Sequence, residues 1–137
     1  MSAPQDFLDQ YRTAFKQADL SALVDCFAFP LQVVSVADGE ASSSVASVDE
    51  WPAVLERLLH AYERLGVTDC VPAEVEITEP MDAVAVMRVH WALQRADRKP
   101  VYDFTAVYTL ALATGRLRIV ALAHDELPKM RKALQGH

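Results

Sequence analysis

The spacing of apolar residues changes once along the chain, at Gly66, and the change sets the class of fold open to it. Before Gly66 the apolar positions recur mostly every third or fourth residue, which gathers them on one helix face. After it they recur every second residue, which gathers them on one strand face. With 137 residues the chain is long enough for one core and short for two. Residues 1–137 therefore read as a single domain in which a helical front and a stranded back share that core. Helices followed by a run of strands make an α+β domain, with the helices covering one face of the sheet.

In the front part, Phe7, Leu8, Tyr11, Ala14, Phe15 and Ala18 form an amphipathic stripe, which predicts a helix over 7–18. Asp19 stands where an N-cap should, and Leu20, Leu23, Val24 and Phe27 continue as a second, short helix that Pro30 ends. The β-branched run from Leu31 to Val36 is a strand. Residues 37–47, with Asp38-Gly39 and Ser42, Ser43 and Ser44, have little to bury and read as a mobile loop. Asp49 is placed to cap a third helix, with Pro52 in its first turn and Trp51, Val54, Leu55, Leu58, Leu59, Tyr62 and Leu65 on its apolar face. Gly66 closes it.

Behind Gly66, Val71, Ala73, Val75 and Ile77 alternate with polar residues. Three further runs follow, 83–93, 100–113 and 116–124, separated by the turns at 79–82, 94–99 and 114–115. Four successive strands with short connections predict an antiparallel meander. A strongly bent sheet around the first and third helices would leave a pocket between them, a common setting for a ligand.

Composition removes several classes of function. Hydrophobic residues at 52% against 23% charged exclude a disordered chain. The net charge of −6 opposes phosphate backbones, and the two basic groups, Arg95/Arg98/Lys99 and Lys129/Arg131/Lys132, read as solvated turn and tail, so no nucleic-acid partner is expected. No basic stretch leads into an apolar run at the N-terminus and no apolar run approaches membrane-spanning length, so no membrane partner is expected and a cytoplasmic location is. Cys26 and Cys70 lack paired-motif spacing and read as buried free thiols. His124, Asp125 and Glu126 are consecutive, and consecutive strand residues point to opposite faces, so no metal is expected from them. There is no Gly-rich phosphate loop and no Ser or Cys nucleophile signature, hence no cofactor.

Three segments carry a resemblance to a known family: YRTAFKQADLSALVDCFAFP at 11–30, the helix from Trp51 to Gly66, and YTLALATGRLRIVALAHDE at 108–126. Together they resemble the NTF2-like proteins, the group holding the SnoaL-like cyclases, ketosteroid isomerases and scytalone dehydratases. The resemblance implies a cystatin-like cone, three N-terminal helices packed on a strongly curved, mainly antiparallel sheet. These segments consist of cap, turn and core residues, so they speak for fold and not for chemistry. The implied pocket would be walled by Phe15, Phe27, Trp51, Leu58, Tyr62, Val107, Val120 and Leu122.

Set against ketosteroid isomerase from the Asp19 cap, the family's catalytic tyrosine falls on Tyr11. In the same register its base falls on Ser35, and its second oxyanion donor falls on Val107 counted back from Gly115. Serine is no base at neutral pH unaided and valine donates nothing, which argues against isomerase chemistry. Resemblance to scytalone dehydratase would instead use histidines supported by a carboxylate, and His124, His90 and Asp103 are the candidates, with Tyr11 as a donor. Two functions stay open: acid/base isomerase, cyclase or dehydratase chemistry on a small apolar molecule, or binding without turnover. A homodimer is expected under both, because the strands from Ala83 onward are apolar on both faces and one needs covering beyond the helices.

Overall fold

The structure, a computed structural model, describes residues 2–136. Helix α1 (Ala3–Lys16) starts where the Ser2 hydroxyl accepts the Gln5 N–H, and it buries Phe7, Leu8, Tyr11 and Ala14. The Asp19 carboxylate accepts the Ala22 N–H and so caps α2 (Leu20–Asp25) as its sequence predicts. Strand β1 (Phe27–Ala37) begins earlier than expected, with Phe27 already extended and Pro30 inside the strand. Pro30 therefore does not end a helix. It interrupts a ladder instead, since pairing of β1 with β6 (Arg116–His124) lapses between Phe27 and Gln32, where a residue without an N–H can be housed.

The expected loop at 37–47 is corrected. Asp38 and Gly39 both take positive φ, 54° and 77°, and turn β1 back into β2 (Glu40–Ala46), which pairs with it antiparallel from Ala37↔Glu40 to Leu31↔Ala46. Positive φ at both central residues is the geometry of the tight two-residue hairpin. The strand is an exposed edge, held by its ladder rather than by burial.

Helix α3 (Trp51–Leu65) is not capped by Asp49. Ser47 N–H donates to Glu50 Oε1 at 3.0 Å and Glu50 N–H to Ser47 Oγ at 3.1 Å, a reciprocal exchange just ahead of the helix. Gly66 ends it with φ 75°, in the left-handed region that glycine enters at no steric cost. Then β3 (Asp69–Met81), β4 (Val84–Gln94), β5 (Pro100–Ala113) and β6 run as the predicted meander. The sheet order is β2-β1-β6-β5-β4-β3, with β1 and β6 the parallel pair. A fourth helix, α4 (Glu126–Gln135), follows where the chain reads as a tail.

The domain is α+β, a curved, mainly antiparallel sheet with helices on its concave side. Leu8, Leu55, Met87, Val89, Leu110 and Ile119 are sealed where the helices meet the sheet. Toward the other end this core opens into a cavity.

Candidate functional site

The cavity has a volume of about 380 Å³. Tyr11 and Phe15 reach it from α1, Trp51, Leu55, Leu58 and Tyr62 from α3, Cys70, Trp91, Phe104, Tyr108 and Leu122 from the sheet, and Leu127 and Met130 from α4. Its walls are mostly hydrocarbon and aromatic. Its polar groups are therefore few, and each has an outsized effect.

The most consequential of them is Glu126, which is 6% exposed although it carries a carboxylate. It opens α4 directly after β6, and the sheet and α3 close over it. The Tyr62 and Tyr102 hydroxyls both donate to Glu126 Oε2, the second at 2.7 Å. Burial raises the carboxyl pKa from its ordinary 4.5 to about 7, against the opposing pull of the two tyrosine hydrogen bonds. Such a group changes its protonation near neutral pH, where a general base works best.

His124 lines the same cavity, half-buried, and its Nδ1 accepts the Glu126 backbone N–H at 3.2 Å. This bond satisfies one of the free amides at the start of α4, which has no side-chain cap from Asp125. Asp125 turns the other way, its Oδ1 accepting the Thr105 N–H at 2.9 Å and pinning the helix start to β5. Burial holds the His124 pKa below its ordinary value, so the ring favours the neutral form.

Deeper in, Trp91 Nε1 donates to the Tyr108 hydroxyl at 2.9 Å, and Tyr11 meets the Tyr108 ring edge-on at 5.6 Å between centroids. Burial first, then Tyr108, pushes the Tyr11 phenol well up, so it is a donor and never a phenolate. Trp51 packs edge to face on Phe27, and its Nε1 is buried without a hydrogen-bond partner among the described residues. Both cysteines are free. Burial pushes Cys70, on the cavity wall, up to about 12 and half-buried Cys26 to about 11, which makes both inert thiols.

Tyr11, Phe15, Trp51, Leu58, Tyr62, Leu122 and His124 of the predicted set thus meet in one cavity. His90 and Asp103 do not. They belong to the half-exposed register of β4 and β5 that alternates with buried Val89, Trp91 and Phe104, so they sit on the opposite, convex face. There His90 Nε2 and Asp103 Oδ2 pair at 2.6 Å, with Thr105 Oγ1 at 3.0 Å from Nδ1. Val107 shares that outer register and is no pocket wall. Val120 falls at the register shift between β5 and β6, outside the cavity lining, and Phe27 is core beneath Trp51.

Glu126 and Tyr102 are absent from the sequence expectation, in which Glu126 enters only as a metal ligand on a strand. Its signal was a helix start: Asp125, then Pro128 in the first turn, then Met130, Ala133 and Leu134 at helical spacing. Among the described residues no group of His, Cys, Asp or Glu is placed to hold a metal ion. No helix there is long and apolar enough to cross a membrane.

A cone of curved sheet closed by helices, with a small apolar cavity and a few convergent polar groups, defines a class of α+β pocket domains. The chain belongs to the NTF2-like family DUF6841, whose family model matches residues 3–126. An NTF2-like protein of unknown function from Shewanella oneidensis MR-1 superposes with a TM-score of 0.70 at 17% identity, over 90% of this chain and 96% of that one. A candidate ketosteroid isomerase from Shewanella frigidimarina NCIMB 400 gives 0.69 at 16% identity, over 90% and 95%. A candidate aromatic ring hydroxylase from Novosphingobium aromaticivorans gives 0.67 at 14% identity, over 90% and 85%. At such identities the likeness is one of fold. No curated protein matches the chain in sequence.

Proposed function

We propose that the cavity takes a small, largely apolar molecule and that Glu126 moves a proton on it, in chemistry of the isomerase, cyclase or dehydratase kind. The observation that carries this reading is a buried carboxyl on the cavity wall that titrates at about 7 while two tyrosine hydroxyls hold its charged form. A carboxyl kept only as a helix anchor needs no cavity beside it. In the step envisaged, a C–H bond next to a carbonyl breaks, the proton passes to Glu126, and the electron pair moves to the carbonyl oxygen. Return of the proton to the same or a neighbouring carbon completes exchange or isomerisation. The likeness in fold to a candidate ketosteroid isomerase supports this class without supplying its residues, since Ser35 and Val107 stand where that chemistry needs a base and a donor.

The test is deuterium exchange at the carbon beside the carbonyl of 1-tetralone in heavy water, followed by proton NMR. The wild-type protein should accelerate exchange over buffer, and Glu126→Gln should abolish the acceleration. No acceleration by the wild-type protein would refute the catalytic reading.

Binding without turnover is the second reading. The bonds from Tyr62 on α3 and Tyr102 on β5 also anchor α4, a purely structural duty. Under it, ligand affinity would survive Glu126→Gln. In either case we propose a homodimer formed through the convex sheet face, where Val86, Ala92, Val107 and Ala111 stand only half-buried.

A further inference from the structure

We infer that His124 serves the ligand as a fixed hydrogen-bond donor through Nε2–H, so that the cavity selects molecules carrying a carbonyl oxygen over hydrocarbons of the same shape. The inference rests on the cavity being a ligand site, as proposed above, and it reverses the role that a half-buried histidine first suggests.

The argument begins with a backbone amide. Glu126 N–H donates to His124 Nδ1 at 3.2 Å, and an amide N–H has nothing to accept with. Nδ1 must therefore present its lone pair. A neutral imidazole has one lone-pair nitrogen and one N–H, so the proton sits on Nε2. An imidazolium would point a second N–H at the amide, donor against donor, and that arrangement is refused. One helix-start amide thus sets both the protonation state and the tautomer, and the lowering of the ring's pKa by burial acts in the same direction. His124 then has no spare lone pair with which to act as a base.

What remains is the Nε2–H. No side-chain hydrogen bond to Nε2 occurs among the described residues, and the buried side-chain polar atom without a partner there is Trp51 Nε1, so the Nε2 edge is not sealed in protein. His124 lines the cavity, and Glu126, two residues on, lines it too. A ligand with an acceptor oxygen at Nε2–H and an acidic C–H at the carboxylate meets both. In the proton transfer proposed for Glu126, negative charge collects on the carbonyl oxygen, and an N–H fixed in one tautomer on the same cavity lining would stabilise that charge.

Two measurements test this. In protein labelled with 15N-histidine, long-range nitrogen–proton correlation spectra at pH 7 read which ring nitrogen carries the proton, and His124 is assigned by the signal missing from His124→Gln. The Nε2–H tautomer is expected; an Nδ1–H tautomer or an imidazolium overturns the inference. Separately, binding of 1-tetralone and of tetralin, the same bicycle without its oxygen, is measured by titration. The wild-type protein should prefer the ketone about tenfold, the size of one net hydrogen bond. His124→Gln, whose amide N–H₂ can stand where Nε2 stood, should keep much of that preference, and His124→Leu should lose it. An undiminished preference in His124→Leu overturns the donor role. If neither compound binds the wild-type protein, the cavity reading falls and the donor falls with it. Ketone-selective binding without proton exchange keeps the donor and defeats only the catalytic role of Glu126.

Discussion

A carboxyl buried among aromatic rings keeps its proton longer than one in water, and the folded protein must then lose stability when that proton is removed. For Glu126 the unfolded chain releases the proton near 4.5 and the folded protein near about 7. Between those values the folded state binds more protons than the unfolded state, so stability falls as pH rises across the window and levels off above it. The full penalty is about 3 kcal/mol. Glu126→Gln abolishes the titration, so relative to the wild type the variant should gain stability between pH 4 and pH 8, read as a shift in urea midpoint. An unchanged difference across that range would mean that the carboxyl titrates normally. Tyr102→Phe tests the opposing force: its hydroxyl draws the carboxyl pKa down, so removing it should raise that pKa further. Any activity that needs ionised Glu126 should then rise with pH along a limb displaced to the alkaline side. At this scale the sequence was only partly legible. Tyr11 and His124 could be nominated by type, but whether His90 faced in or out turned on a one-residue choice of strand face, and β4 alternates without a break so that Val89 and Trp91 take the inner one. Glu126 could not be recognised until α4 was.

Elements were legible where their residues serve the core and illegible where they serve only themselves. Helix α3 and the meander carry long apolar periods, and their limits follow from the stripe and from Gly66. Strand β2 buries almost nothing. Its three serines are held by a ladder to β1, and the turn residues Asp38 and Gly39, which also suit a loop, were its main sign. Helix α4 was masked by its charge, although Lys129 pairs with Asp125 one turn back and Leu127 and Met130 roof the cavity. Gly66 is the place to test element-scale reasoning, because a Cβ there meets the Arg95 side chain no closer than 3.8 Å and a clash is excluded. The cost of Gly66→Ala is then that of holding alanine at φ 75°, about 1 kcal/mol. Thermal or urea unfolding should show a loss of that size, and a loss of several kcal/mol would mean that the α3–β3 junction has other constraints.

Across the whole molecule, the two faces of the sheet differ in what covers them. The concave side holds the sealed core and the cavity beneath α1, α3 and α4. On the convex side, Val86, Ala92, Val107 and Ala111 are shielded only by their neighbours along and across the strands. Small and β-branched residues on an outward sheet face make a flat surface that another flat surface can cover, and a second copy offers the same surface by two-fold symmetry. Arg88 and His90 on β4 and Asp103 on β5 stand in the same outward register, Arg88 opposite Val107 and Asp103 opposite Ala92, so a partner surface must match these polar groups as well as the apolar ones. Light scattering at micromolar concentration should therefore return a dimer mass for the wild-type protein. Val107→Arg would set a second cation directly opposite Arg88 in the covered region of each copy, facing its symmetry mate. It should shift the mass to that of a monomer while leaving the circular dichroism spectrum intact, since the residue lies outside the core. A monomeric wild type would show that the convex face is left to solvent, and that the half-burial of these valines and alanines is complete as it stands.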